Sequence, residues 1–385
     1  MTSRVVVTGG RVMAPDRVIP DGRVVIDGGS IVAVEPASPA GSAGTVVDAG
    51  GGWIVPGFID LQVNGGAGVD ITNEPERMDG LGRDLIRQGV TAYLPTVITA
   101  PARRRAAALR AWAERSPVTG GARPLGLHFE GPMISPSRLG AHPGEHVVDP
   151  APPVIAGWSR DAGVAMVTLA PERPGALGVI AALIERGIVV AIGHTDATAA
   201  EVDQAVAAGA TYVTHLFNAM RPFGHRDPGP IGATLGGDGV VAGLIVDGLH
   251  ADAAAVRLAW RALGPDRFNL VTDAVAPRGA TGASSALGSV DVTAAPDGGV
   301  RTSTGVLAGS TLTLDVAVRN LVAMTGASVP DAVRTVTATP ARVLGLCDRG
   351  TLAPGGRGDV AVLDDALAVR TVVVAGRLAW SSGRA

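Results

Sequence analysis

The chain has a single cysteine, Cys347, which excludes an intramolecular disulfide framework and a cysteine-rich zinc knuckle. Aromatic residues make up only 3% of its 385 residues, so the apolar 46% is carried mainly by Val, Leu and Ala. An excess of either charge is missing too. The 32 Lys plus Arg stand against 35 Asp plus Glu, a net charge of -3, which argues against a nucleic-acid binder or a membrane-surface protein. No apolar run approaches roughly 18 residues and the N-terminus has no apolar core of signal-peptide length, so a soluble, cytoplasmic protein is expected. The phosphate-cradling pattern GxxxxGK[ST] is absent, and the Gly pairs near the N-terminus lack the context of a dinucleotide fingerprint. Neither ATP nor NAD is expected.

What is present is glycine, at 54 residues, in a chain whose texture changes twice. Residues 4–55 alternate short Val-rich runs with Gly, Pro and Asp turns, as in RVVVTGG, GRVVIDGGSIVAV and TVVDAGGGWIVPG, and the C-terminal stretch repeats this in GDVAVLD and AVRTVVVAGRLAW. Each end is too short to bury a core alone, so residues 1–55 and 341–385 are expected to pair into one small β-sandwich domain.

Residues 56–340 read differently. Apolar strand candidates fall at 58–63, 91–97, 124–130, 164–170, 188–194, 211–215, 240–247 and 268–273. Helical segments are predicted at 76–88, 101–115, 174–186, 198–208, 252–263 and 311–325. Continuous apolar strands with helical crossovers form a parallel sheet covered on both faces, and eight of them predict an α/β chain with a (β/α)8 TIM-like barrel.

Glu130, His194, His215, Asp247 and Asp273 each fall at the C-terminal end of a different predicted strand, the rim where such a barrel gathers its active site. A lone His at a strand end is ordinarily a hydrogen-bonded structural residue. Two of them, with Glu130 on the same rim, favour a catalytic metal set that leaves a position open for water. Asp273 is either a turn cap or the carboxylate that takes a proton from that water, and its place across the mouth favours the second. Asn218, Arg221, His225 and Arg226, with Asp247 and His250, form a second group suited to an anionic, hydroxylated ligand, although an Arg in a Gly- and Pro-rich loop is as often a solvated surface residue. His142 or His146 is expected to reach the substrate from the loop after Glu130, and Gly309 marks either a close approach to ligand or a turn.

The strings PGFIDLQVNG, LHFEGP, GAH, VTLAPE, IGHTDAT, THLFNAMRPF, DGLH, VTDAVAP and LAGS, in this order along the barrel, resemble the N-acetylglucosamine-6-phosphate deacetylase family of the amidohydrolase superfamily. The resemblance implies Glu130, His194 and His215 as ligands of one divalent metal ion per subunit, zinc first, with iron, manganese or cobalt as alternatives, and Asp273 as the catalytic carboxylate. It also implies a sugar-phosphate site lined by Ala141, Asn218, Ala219, Arg226, Asp247, His250, Leu307, Ala308 and Gly309, with His142 at the acetamide. A homodimer is implied, in which Arg226 or His250 reaches the phosphate across the interface. Many members of the superfamily carry His-x-His after the first strand and hold a second metal; here Gln62, Val63 and Asn64 stand there, and amides are poor zinc ligands, so one metal is expected. VTLAPE offers no lysine for a carbamate bridge. The expected reaction is removal of the N-acetyl group from N-acetylglucosamine 6-phosphate. The alternatives are another N-acyl amino-sugar phosphate, such as N-acetylgalactosamine 6-phosphate, and a non-catalytic sugar-phosphate sensor.

Overall fold

Phe58–Val63 is buried at every position, as is Val90–Val97, and these two strands start a parallel barrel. A strand buried on both faces needs apolar residues throughout, and the run FIDLQV interrupts that only with Asp60 and Gln62, which point into the barrel's polar interior network. A computed structural model describes residues 4–38, 44–116, 119–278 and 282–383; the extreme ends of the expected terminal domain, residues 1–3 and 384–385, lie outside it. The barrel continues in order through Leu127–Glu130, Val164–Leu169, Val189–Ile192, Tyr212–Val213, Val241–Leu244 and Phe268–Leu270, each pairing in parallel with the one before. Closure joins the last strand to the first: Asp273 N donates to Gln62 O at 3.0 Å, and Thr272 Oγ1 donates to Asp60 Oδ2 at 2.6 Å. The fold is the TIM-like barrel that the sequence predicts, with a separate small sheet built from both chain ends.

Helices Met78–Leu85, Ala102–Glu114, Ala176–Glu185, Ala199–Ala207, Ala253–Arg267 and Leu314–Thr325 fall within or close to the predicted segments. Two of them start where the chain has just left the barrel mouth and are capped in place. Thr198 and Glu201 form a reciprocal capping box, and Asp252 accepts from Ala254 N. Gly229–Gly236, Val329–Arg334 and Ala338–Val343 are helices that the sequence reading did not assign. The first has the sequence GPIGATLG, whose glycines give it little intrinsic preference for helix. Between the third and fourth strands the crossover has no α-helix among the described residues; a long loop runs there, carrying His142.

The terminal strands form one sheet. Trp53–Pro56 pairs antiparallel with Val360–Leu363, so that Ile54 faces Val362, and parallel with Val5–Met13. Val7, Val12, Ile26, Ile54, Leu352 and Val360 pack into a core distinct from that of the barrel. A further four-stranded antiparallel meander, from Ser284–Leu287 to Leu307–Ser310, is inserted after the last barrel strand and lies over the mouth. No helix among the described residues is long and apolar enough to cross a membrane.

Candidate metal centre and active site

Three barrel strands end in residues whose backbones turn left-handed although none is glycine: His194 at φ 47°, His215 at φ 28° and Asp273 at φ 50°. That conformation costs about 1–3 kcal/mol per residue and persists only where surrounding packing imposes it. Its effect here is to end each strand abruptly and turn the side chain into the mouth. Glu130 arrives at the same height from the third strand.

The result is a tight cluster. Glu130 Oε1 lies 3.1 Å from His194 Nε2 and 2.9 Å from His215 Nε2, and the two imidazole nitrogens are 3.1 Å apart. All three side chains are buried. His194 Nδ1 is 3.0 Å from the carbonyl oxygen of Arg138, which can only accept, so the ring proton sits on Nδ1 and Nε2 presents a lone pair. Burial, reinforced by His142, pushes His194 down to about 4, so the ring is neutral near pH 7. Burial opposes charge on Glu130 as well, but the adjacent imidazoles of His142, His194 and His215 outweigh it and hold the carboxyl well below its ordinary range. His215 is held above its ordinary value: burial works against its charge, and Glu130 and Asp273 overcome that. A carboxylate oxygen and an imidazole lone pair meeting beside a second imidazole nitrogen repel one another unless a cation sits among them. The donor set, one oxygen and two nitrogens buried at close range, fits a divalent metal ion.

Asp273 stands beside this cluster. Its Oδ1 accepts from Gln62 Nε2 at 3.0 Å and from Asn64 Nδ2 at 2.5 Å, while Gln62 Nε2 also reaches Glu130 Oε1 at 3.0 Å. Burial and the charge of Glu130 push the Asp273 carboxyl up to about 7. His142 Nδ1 lies 2.9 Å from Thr99 Oγ1, and its Nε2 is 3.7 Å from Glu130 Oε2.

These groups line a cavity of about 220 Å³. Of the residues singled out in the sequence, the structure brings Glu130, Ala141, His142, His194, His215, Asn218, Ala219, His250, Asp273, Leu307, Ala308 and Gly309 to its walls. Asp247 sits behind the wall, bonded to His250. Arg226 and His225 are exposed on the loop after His215 and do not line the cavity within this chain, and Arg221 is engaged with Asp196 and Asp227. His146 is also off the cavity, in the turn Gly144–His146. The sequence reading missed the apolar wall of Ile98, Ile245, Leu287 and Val306, and it gave Gln62 and Asn64 no hydrogen-bonding role. Leu287 and Val306 belong to the inserted meander, which no strong strand pattern announces.

A barrel with a carboxylate and two imidazoles converging at its C-terminal mouth defines a metal-dependent hydrolase. Residues 53–379 match the model of the amidohydrolase family, and the chain belongs to that family: it is an enzyme that acts on an amide bond. Its relatives within the family include amino-sugar-phosphate deacetylases. N-acetylglucosamine-6-phosphate deacetylase of Bos taurus is 40% identical over 347 residues, covering 86% of this chain and 85% of the relative. N-acetylgalactosamine-6-phosphate deacetylase of Escherichia coli O157:H7 is 36% identical over 381 residues, 97% of this chain and 99% of the relative. Among solved structures, a mutant N-acetyl-D-glucosamine-6-phosphate deacetylase of Mycobacterium smegmatis in complex with N-acetyl-D-glucosamine-6-phosphate superposes with a TM-score of 0.90 at 36% identity, covering 98% of this chain and 100% of that one.

Proposed function

We propose that the protein hydrolyses the N-acetyl group of N-acetylglucosamine 6-phosphate to acetate and glucosamine 6-phosphate. The observation that carries this reading is the cluster of Glu130, His194 and His215 with Asp273 beside it, in a cavity sized for one small polar ligand. Glu130, His194 and His215 would hold a single divalent cation, zinc first. When bound there, such a cation acidifies water and polarises an amide carbonyl. Asp273 takes a proton from the attacking water and delivers it to the sugar nitrogen as the carbon–nitrogen bond breaks, a shuttle that suits a carboxyl held up by burial. His142, on the same wall and fixed by Thr99, donates to the carbonyl oxygen as it gains negative charge.

The sugar phosphate is proposed to lie between Ala141, Asn218, Ala219, His250 and the segment Leu307–Gly309. Gly309 has φ 71°, and a Cβ there would stand 2.7 Å from the backbone carbonyl oxygen of Asp273 and 2.5 Å from Val275 Cγ1, so only glycine permits this approach to the main chain at the catalytic residue. The cavity walls contain no Arg or Lys among the described residues. Arg226, exposed at the rim loop, is therefore proposed to reach the phosphate of a neighbouring copy in a cytoplasmic homodimer. N-acetylgalactosamine 6-phosphate is a second reading, favoured by a relative that covers nearly the whole chain. The test is acetate release from both phosphorylated epimers and from N-acetylglucosamine itself. A kcat/KM that favours N-acetylglucosamine 6-phosphate supports the first reading, preference for the galacto epimer supports the second, and absence of acetate from all three rejects both.

A further inference from the structure

The deacetylase reading gives no task to two buried side chains beside its base. Gln62 and Asn64 are 1% and 2% exposed. Ionised carboxylates only accept, so the contacts with Glu130 and Asp273 fix the orientation of both amides: their N–H groups face the carboxylates and their carbonyl oxygens face away. Gln62 Oε1 and Asn64 Oδ1 are consequently buried with no hydrogen-bond partner among the described residues. A buried acceptor left unpaired destabilises a fold, and two adjacent ones are retained for what the other end of each amide does.

That other end is asymmetric. Both amides converge on the same oxygen of Asp273, Oδ1, while Oδ2 takes no hydrogen bond from the described residues and Asp273 lines the cavity. The backbone repeats the attachment, because Asp273 N donates to Gln62 O at 3.0 Å. Asp273 has φ 50° at this point, so its main chain is held in a conformation it would otherwise leave.

We propose that Gln62 and Asn64 are positioning residues for the hydrolysis: their N–H groups clamp Oδ1 of Asp273 so that Oδ2 alone meets the reacting water and then the sugar nitrogen. The inference rests on the deacetylase reading. Freed from the clamp, the carboxylate rotates and shares its proton between two oxygens that no longer face the reaction. Misplacement of a catalytic group by about 1 Å can cost ~100-fold in rate.

The variants are Gln62→Met, which keeps the length of the side chain and removes its donors, and Asn64→Ala. Each is assayed as the metal-loaded enzyme for kcat and KM separately, with metal equivalents per chain measured on the same sample. Expected is a fall in kcat of ~100-fold with little change in KM and unchanged metal content. In an Asp273→Asn background the same substitutions should lower kcat no further, because a clamp acts only through the residue it holds. Normal kcat in both variants, loss of metal alongside activity, or losses that multiply with that of Asp273→Asn would each overturn the proposal. A readout independent of turnover separates this from failure of the deacetylase reading. Crystals of the doubly substituted protein should show the Asp273 carboxylate in more than one rotamer, and a single unshifted rotamer would overturn the clamp whatever the substrate.

Discussion

Asp247 Oδ2 accepts a hydrogen bond from His250 Nδ1 at 2.7 Å, and Asp247 Oδ1 accepts from the backbone N–H of His250 at 2.9 Å, so one carboxylate fixes both the ring and the main chain of a residue on the cavity wall. Burial raises the Asp247 carboxyl, but the bond from His250 outweighs this and holds it below its ordinary value. With Nδ1 committed, Nε2 is the nitrogen left for a ligand. Asp247→Asn is expected to raise KM for the phosphorylated sugar by about 10-fold, the scale of one charge-assisted hydrogen bond, while kcat changes little. A steady-state comparison with unphosphorylated N-acetylglucosamine checks this; an equal loss on both sugars would remove His250 from the phosphate.

The pH dependence of turnover follows from Asp273. Its carboxyl, ordinarily at 3.8, is pushed up to about 7 by burial and by the charge of Glu130, and a bound divalent cation draws it back toward the ordinary value. A base works when ionised, so kcat/KM is expected to rise with pH through a midpoint between these two values. Asp273→Asn should lose ~100-fold or more in kcat and show no such rise. A pH profile with the same acid limb in the variant would assign the titration to another group.

Barrel closure has a stability signature at Asp60. Its carboxyl is raised from 3.8 to about 6, chiefly by burial, against the hydrogen bond from Thr272. A raised folded-state value means that the group's contribution to stability is fully present below 3.8 and is lost as pH climbs through 6. Thr272→Val keeps the side chain's shape and removes the donor to the carboxylate. The variant is expected to be about 1–3 kcal/mol less stable near pH 8, and less affected near pH 5, where Asp60 is protonated in the folded chain. Urea unfolding at the two pH values measures the difference, and an equal loss at both would contradict this origin.

Much of this architecture was legible because the barrel strands are apolar runs and several of them run directly into a polar site residue. Glu130, His194, His215 and Asp273 stand out against LHF, VVAIG, TYVT and LVT in the chain itself. The segments of the meander were not legible: SSAL, VDVTA and GVRT are short, and several of their positions are exposed and polar, so nothing in them demands a sheet. Gln62 and Asn64 were read there only as poor metal ligands. Their hydrogen bonds to Asp273 cross 211 and 209 residues and exist only because closure sets the first strand against the last. Arg226 shows the converse limit, since a basic loop in the sequence carries no information on its distance from the cavity.

The central claim is that one cation is held by Glu130, His194 and His215 within reach of Asp273. Anomalous diffraction from crystals of the active, metal-loaded protein tests it directly. The expected result is a single strong peak at about 2.0–2.2 Å from Glu130 Oε, His194 Nε2 and His215 Nε2. An active crystal with no peak there, or with its metal bound by other side chains, would contradict the account.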